Sequence, residues 1–184
     1  MNWMKKVAVA LVCLLPLGLQ AAKVDTLQVK SPSMNKSIEV VVVSPDMAAT
    51  EACPVIYLLH GYGGNARTWV GIKPDLPKIA DEKGIFFVCP DGKNTWYWDS
   101  PLNADVRYET FISDELVKYV DSHYKTVADR KGRAITGLSM GGHGAMWNGL
   151  RHSDVFSAAG STSGGVDIRP FPKNWEMSVQ IGEK

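Results

Sequence analysis

A chain of 184 residues, 45% of them hydrophobic, is long enough to build one domain around a real core. Twenty basic and nineteen acidic side chains leave a formal charge of +1, and no run of Lys or Arg forms a stripe along any segment. That balance argues against nucleic acid as a partner.

Residues 1–22 read as a different kind of text. Lys5 and Lys6 are followed by an apolar run from Val7 to Leu19, interrupted only by Pro16 and Gly18, and then by the small pair Ala21-Ala22. This is the pattern of a secretory signal, too short for a comfortable membrane span, with cleavage expected after Ala21 or Ala22. The mature domain is then residues 23–184, secreted or periplasmic, with no membrane association once the signal is gone. Cys13 follows bulky Val12 and is not read as a lipid anchor. Cys53 and Cys89 stand at opposite ends of two apolar runs. If both runs are parallel strands of five residues, about 16 Å separates the sulfurs, whereas a bridge tolerates Cα separations of roughly 4.4–6.8 Å. Two buried free thiols are expected.

From Val24 to Val43 the spacing predicts two antiparallel strands joined through Ser31-Pro32-Ser33 and Asn35. Val55-Ile56-Tyr57-Leu58-Leu59 is apolar without alternation, as a strand covered on both faces should be, and runs straight into His60-Gly61-Tyr62-Gly63-Gly64. Short helical pieces follow between Ala66 and Glu82, broken by Pro74 and Pro77 and closed by Gly84. A second buried strand is expected over Ile85–Cys89. After Pro90-Asp91-Gly92 comes a loop to Val106 that carries Trp96, Tyr97 and Trp98, more aromatic than a plain connector. Tyr108, Phe111, Ile112, Leu116, Tyr119, Val120 and His123 fall on one face of the clearest helix, with Asp114, Lys118 and Asp121 opposite. A short strand, Ala134-Ile135-Thr136, leads to Gly137-Leu138-Ser139-Met140-Gly141 and a helix ending near Arg151, with His143, Met146, Trp147 and Leu150 along one side. Val155–Gly160 reads as one more strand, and residues 161–184 show no periodicity. Strands alternating with helices after an opening hairpin imply an α/β fold, a mostly parallel sheet wrapped on both sides.

The segment around Ser139 spells G-x-S-x-G between a strand and a helix, the context that pushes a serine hydroxyl out of a sheet as a nucleophile. Serine needs a base, an orienting acid and donors for an oxyanion. The backbone N–H of Met140, at the helix start, and that of Tyr62, in the glycine-flanked turn, are the candidate donors. Both turns belong at the carboxyl edge of parallel strands, where open α/β sheets bind ligands. His60 is read as fixing the oxyanion turn, His123 and His143 as packed histidines, and His152 as a partner of the helix carboxyl end. Trp96 and Trp98 are candidate substrate contacts that offer flat faces to a sugar ring or a phenolic acyl group; the alternative is packing over the sheet edge.

His60-Gly61-Tyr62-Gly63-Gly64, the stretch from Pro90-Asp91-Gly92 through Trp96-Tyr97 to Asp99-Ser100-Pro101, and Gly137 to Gly144 together resemble the esterase branch of the α/β-hydrolases, from about Val24 to Gly165. That branch includes feruloyl and acetylxylan esterases, S-formylglutathione hydrolases and secreted mycolyltransferases. The resemblance implies an α/β-hydrolase fold, a serine triad, no cofactor and no metal. It makes Ser139 the nucleophile, with Tyr62 and Met140 as oxyanion donors. In that architecture the acid and the base follow the serine, each after a later strand, and the stretch from Ser139 to Lys184 has room for one helix, one strand and a tail. The expected domain is therefore incomplete at its C-terminal end, with the triad acid and base beyond Lys184; Asp154 and Asp167 are the only downstream aspartates. The expected function is a secreted serine carboxylic-ester hydrolase, on feruloyl or acetyl esters of plant polysaccharide. The alternatives are a catalytically incomplete module that binds carbohydrate or protein, and an acyltransferase. The open edge left by Val155–Gly160 is expected to make the 184-residue form poorly soluble.

Overall fold

The computed structural model describes residues 22–171 and 173–182. The expected signal sequence, with Cys13, lies outside the described residues except for Ala22. Among the described residues no helix is long and apolar enough to cross a membrane.

The opening hairpin is β1 (Lys23–Ser31) and β2 (Lys36–Ser44), paired antiparallel in the register Val29↔Ile38. β3 (Val55–Leu59) and β4 (Phe86–Pro90) are joined through two short helices, α1 (Thr68–Ile72) and α2 (Leu76–Lys83), the second capped by Gly84. β4 lies one residue later than the apolar run suggested. β5 (Arg133–Gly137) feeds α5 (Met140–Arg151). With β6 (Ala158–Ala159) at its far edge, the sheet has the order β1-β2-β4-β3-β5-β6: β1, β2 and β4 alternate in direction, while β4, β3, β5 and β6 run parallel.

Residues that alternate along a strand go to opposite faces, and here both faces are covered, which is why the apolar runs are unbroken. Val40, Val42, Val55, Tyr57, Leu59, Phe86 and Val88 share one core with the long helix, the Trp96–Trp98 loop and α5. Val41, Val43, Leu58, Phe87 and Cys89 share the other with Ala66, Leu76 and Ala80 from the α1–α2 side. Cys53 and Cys89 are free and buried, as the strand-end argument requires.

Three local expectations are corrected. The long helix is α3 (Tyr108–Thr110), a π-helical stretch (Phe111–Glu115) and α4 (Leu116–His123). Its apolar stripe is as read up to Val120, but His123 is exposed and stacks on Tyr119 at 4.0 Å. Asp121, expected on the solvent face, accepts from Thr126 at 2.7 Å and pairs with Arg133. α5 turns its narrow side inward, burying Gly141, Gly144, Ala145, Asn148 and Gly149, because small residues let a helix axis approach the sheet closely; Trp147 and Leu150 face outward. The last strand, β6, is only Ala158–Ala159, both exposed. Phe156, from the same predicted run, sits in the core with its ring edge-on to Tyr57 at 5.7 Å.

Candidate active site

β3 and β5 are neighbouring parallel strands, paired from Val55↔Arg133 to Leu59↔Gly137, so the turns that leave them emerge side by side at the same edge. The turn after β5 is an elbow. Ser139 holds φ 55° and ψ −117°, a left-handed conformation that costs a side-chain-bearing residue roughly 1–3 kcal/mol and persists only where its surroundings impose it. They do so through main-chain bonds: Ser139 N to Thr162 O at 2.9 Å, Leu138 N to Leu59 O at 3.1 Å, Gly141 N to Leu138 O at 2.8 Å and His143 N to Ser139 O at 3.0 Å. The bend closes only with glycine on both sides. A Cβ on Gly137 would lie 2.3 Å from Gly141 O, and one on Gly141 would lie 2.2 Å from Leu59 O. Ser139 itself is exposed.

The turn after β3 abuts the elbow so closely that a Cβ on Gly61 would lie 3.4 Å from Ser139 Cβ. It closes through Gly64 N to Gly61 O at 3.0 Å, with Gly63 at φ 76°, the value a type II turn demands at its third residue. Among the described residues the N–H groups of Tyr62 and Met140 donate to no other group. The two neighbouring turns, one of them carrying the exposed Ser139, thus each hold an amide without a partner among the described residues. Free N–H groups at a helix start carry partial positive charge and suit an anion.

Tyr62, Trp96 and Ser139 line one cavity of about 210 Å³. The remaining wall comes from the segment that carried no periodicity: Ser163 to Gly165, Asp167, Ile168, Phe171, Trp175 and Met177. This segment ends in α6 (Met177–Ile181) and is fastened to the aromatic loop by Trp96 Nε1 donating to Trp175 O at 3.1 Å and Ser100 Oγ donating to Gln180 O at 2.5 Å. Sequence reasoning missed Phe171 and Trp175. Two aromatic residues in an otherwise aperiodic polar stretch were the available signal.

Trp98 is a correction. It is 2% exposed, does not line the cavity, and lies behind Trp96, stacked on it at 5.7 Å and 22°. Its indole N–H donates to His143 Nε2 at 2.9 Å, so its role is packing, which was the alternative reading. Trp96 keeps a place on the cavity wall while its body is buried. Both Trp96 (φ 59°) and Tyr97 (φ 61°) are left-handed, held by Tyr97 OH donating to His60 O at 3.1 Å and Asn148 Nδ2 donating to Tyr97 O at 3.2 Å.

All four histidines are described, and none bonds to Ser139. His143 accepts from Trp98 on Nε2 and donates from Nδ1 to Gly165 O at 2.7 Å, which fixes the tautomer; burial lowers its pKa, and the bond to Gly165 opposes this only in part. His60 donates from Nδ1 to Gly61 O at 2.7 Å and accepts from Gly92 N on Nε2 at 2.9 Å, so it stiffens the turn, as read. His152 meets Glu109 at 2.9 Å, and His123 Nδ1 meets Tyr119 O at 2.8 Å. Asp154 is exposed. Asp167 borders the cavity but is engaged by Arg169 through two bonds of 2.8 Å, which bring its carboxyl down to about 2. Among the described residues no three His, Cys, Asp or Glu side chains converge as a metal would require.

The chain is similar to known esterases. A family model described as "Putative esterase" matches residues 31–181. An esterase of Mycobacterium tuberculosis is 30% identical over 149 residues, covering 77% of this chain and 32% of that protein. An acetyl esterase of Caldicellulosiruptor saccharolyticus is 31% identical over 108 residues, covering 58% of this chain and 40% of its own. A solved ferulic acid esterase superposes with a TM-score of 0.73 at 30% identity, over 89% of this chain and 68% of that one. The chain thus spans well under half the length of the two curated relatives.

Proposed function

The chain belongs to the esterase family of α/β-hydrolase fold, and from that premise we propose that the full-length protein is a serine carboxylic-ester hydrolase working through an acyl-enzyme on Ser139. The observation that carries the reading is the exposed, left-handed serine on one of two neighbouring turns that each hold an amide without a partner among the described residues. Ser139 Oγ attacks the ester carbonyl, and its proton passes to a general base. The carbonyl oxygen takes the negative charge and is met by the N–H groups of Tyr62 and Met140. Collapse of the tetrahedral intermediate expels the alcohol, which takes up the proton. Water then attacks the acyl-enzyme by the same route and releases the acid. The four histidines described here are engaged elsewhere, so the reading requires a base that these side chains do not supply.

The substrates we propose are feruloyl or acetyl esters of plant polysaccharide. Trp96, Phe171 and Trp175 around the cavity suit a planar acyl group, and similar proteins carry the names acetyl esterase and ferulic acid esterase. The charge and apolar pattern of residues 1–22 supports export from the cytosol. One observation favours a second reading, a hydrolase-like binding module: no imidazole among the described residues reaches Ser139. A fluorophosphonate probe separates the two. It should label the folded full-length protein at Ser139 and fail with Ser139→Ala; absence of labelling in the folded wild type would leave the binding module.

A further inference from the structure

The cavity that Ser139 and Trp96 line is completed by irregular backbone running from Ser163 to Phe171. That stretch is tied down at its root, where Ser139 N donates to Thr162 O and Thr162 N to Gly137 O, both at 2.9 Å. It is tied again beyond its end, where Trp175 O accepts from Trp96 Nε1 at 3.1 Å. Between those points its hydrogen bonds run within itself, as from Val166 N to Gly164 O and from Phe171 N to Ile168 O, both at 2.9 Å. Among the described residues a single hydrogen bond fastens it to the body of the domain: His143 Nδ1 donates to Gly165 O at 2.7 Å.

His143 can do this because of what holds its other nitrogen. A neutral imidazole carries one N–H, and the partners of the ring decide which nitrogen has it. An indole N–H only donates. Trp98 Nε1, 2.9 Å from His143 Nε2, therefore requires a lone pair there and sends the proton to Nδ1, where the Gly165 carbonyl needs it. The ring is buried, with Trp96 edge-on at 5.3 Å, Trp98 edge-on at 5.1 Å and Trp147 stacked at 6.2 Å. Burial also favours the neutral form by lowering its pKa. The residue stands on the first turns of α5, and its backbone N–H bonds Ser139 O at 3.0 Å, so the strut starts from the helix that carries the elbow. One imidazole thus touches two parts of the cavity wall, Trp96 and Gly165.

We propose that His143 is a positioning residue for substrate binding: with its tautomer set by Trp98, it pins Gly165 and so holds the wall from Ser163 to Phe171 in place relative to Trp96, fitting the cavity to a planar acyl group. This rests on the reading of Ser139 as nucleophile and of the cavity beside it as the acyl pocket. Without the bond the wall is held only at its ends, and an acyl group that contacts it binds the fraction of molecules in which the wall is in place. Loss of one neutral hydrogen bond of this kind corresponds to about three- to tenfold in apparent affinity. An acetyl group ends one carbon beyond the reacting carbonyl, makes little contact with the wall and depends on it less.

The test uses the full-length protein, p-nitrophenyl ferulate and p-nitrophenyl acetate, and two replacements that each keep one half of the strut. His143→Asn leaves an amide N–H close to the place of Nδ1 and nothing at Nε2, whereas His143→Gln leaves a carbonyl oxygen close to the place of Nε2 and no donor at Nδ1. Expected for His143→Gln are a KM for the ferulate raised by the factor above with kcat little changed, a smaller effect on the acetate, and faster hydrogen exchange in residues 163–171. His143→Asn should restore both the ferulate KM and the protection from exchange towards wild type. A wild-type KM for the ferulate in folded His143→Gln overturns the proposal, as do equal losses in the two variants or equal losses on the two esters. A fall in kcat alone also overturns it, because the effect would then act on Ser139 through α5. If His143→Gln does not fold, nitrogen NMR of the wild-type imidazole decides: a proton on Nε2 overturns the proposal. Absence of turnover of both esters by the folded wild type defeats the proposed function instead, and the exchange comparison, which needs no turnover, tells the two failures apart.

Discussion

Gly141→Ala is the sharpest perturbation this architecture offers. The added Cβ would lie 2.2 Å from Leu59 O, 2.5 Å from Leu59 C and 2.6 Å from His60 O. Comfortable contacts between heavy atoms need about 3.5 Å, so α5 and the end of β3 must part by roughly an ångström. Overpacking usually costs about 1–3 kcal/mol. Here the obstructing atoms are backbone at the carboxyl end of a central strand, with no rotamer to yield, and the upper end of that range, about 3 kcal/mol, is expected. The displacement separates the two turns that carry Tyr62 and Ser139. An ångström of misplacement costs on the order of 100-fold in rate, so activity should fall by more than stability explains. Gly71→Ala is the control: it lies in α1 with nothing within 4 Å of the new Cβ, and should gain up to about 1 kcal/mol from helix propensity. Urea unfolding of both variants and the fluorophosphonate labelling rate of the full-length proteins decide the matter. A Gly141→Ala protein within about 1 kcal/mol of wild type, labelled at the wild-type rate, would refute the account of the elbow.

Other expectations are equally direct. Ser139→Gly should abolish labelling yet raise stability by about 1 kcal/mol, because glycine adopts φ 55° without strain; a thermal midpoint at or below the wild type would contradict this. Glu109 is 7% exposed and accepts from Arg151 Nε at 2.7 Å, His152 Nε2 at 2.9 Å and Trp147 Nε1 at 2.7 Å. Burial raises its pKa, but these donors outweigh burial and hold the carboxyl below its usual value. A folded pKa below the unfolded one, about 4.3, means stability that is present above that pH and is lost as pH falls through the folded value. Glu109→Gln should therefore cost about 2 kcal/mol at neutral pH, and the gap should close towards about pH 3; a gap independent of pH in urea melts would count against it. Ala22 N donates to Asp81 Oδ2 at 2.7 Å. If the leader is removed after Ala21, a free ammonium stands at that carboxylate, so N-terminal sequencing of exported protein should begin at Ala22, and Asp81→Asn should lower its stability by about 1 kcal/mol. Sequencing that begins elsewhere would disprove that cleavage site.

Much of the scaffold was legible because its signals are local. An unbroken apolar run such as Val55–Leu59 follows from burial on both faces, and the glycines around Ser139 follow from a bend that tolerates no Cβ at two positions. The π-helical stretch was not legible. Its apolar spacing resembles that of an ordinary helix, while Ser113 Oγ bonded to Glu109 O at 2.6 Å and Glu115 reaching the hairpin turn at Ser33 N are specific to the packed state.

The sequence by itself determined the order of strands and helices, the two free thiols and the serine at the elbow, since each depends on residue type at short spacing. Tertiary structure alone decided which aromatic rings face the cavity. Trp96 and Trp98 are two residues apart and alike in chemistry, yet one lines the cavity and the other spends its N–H on His143, forty-five residues away along the chain. The rest of the wall, from Ser163 to Met177, has no repeating pattern because it packs as a strap whose turns answer to the loop beneath it. Periodicity records contacts that a regular backbone repeats; partners brought together once, by the path of the chain, leave no period to read.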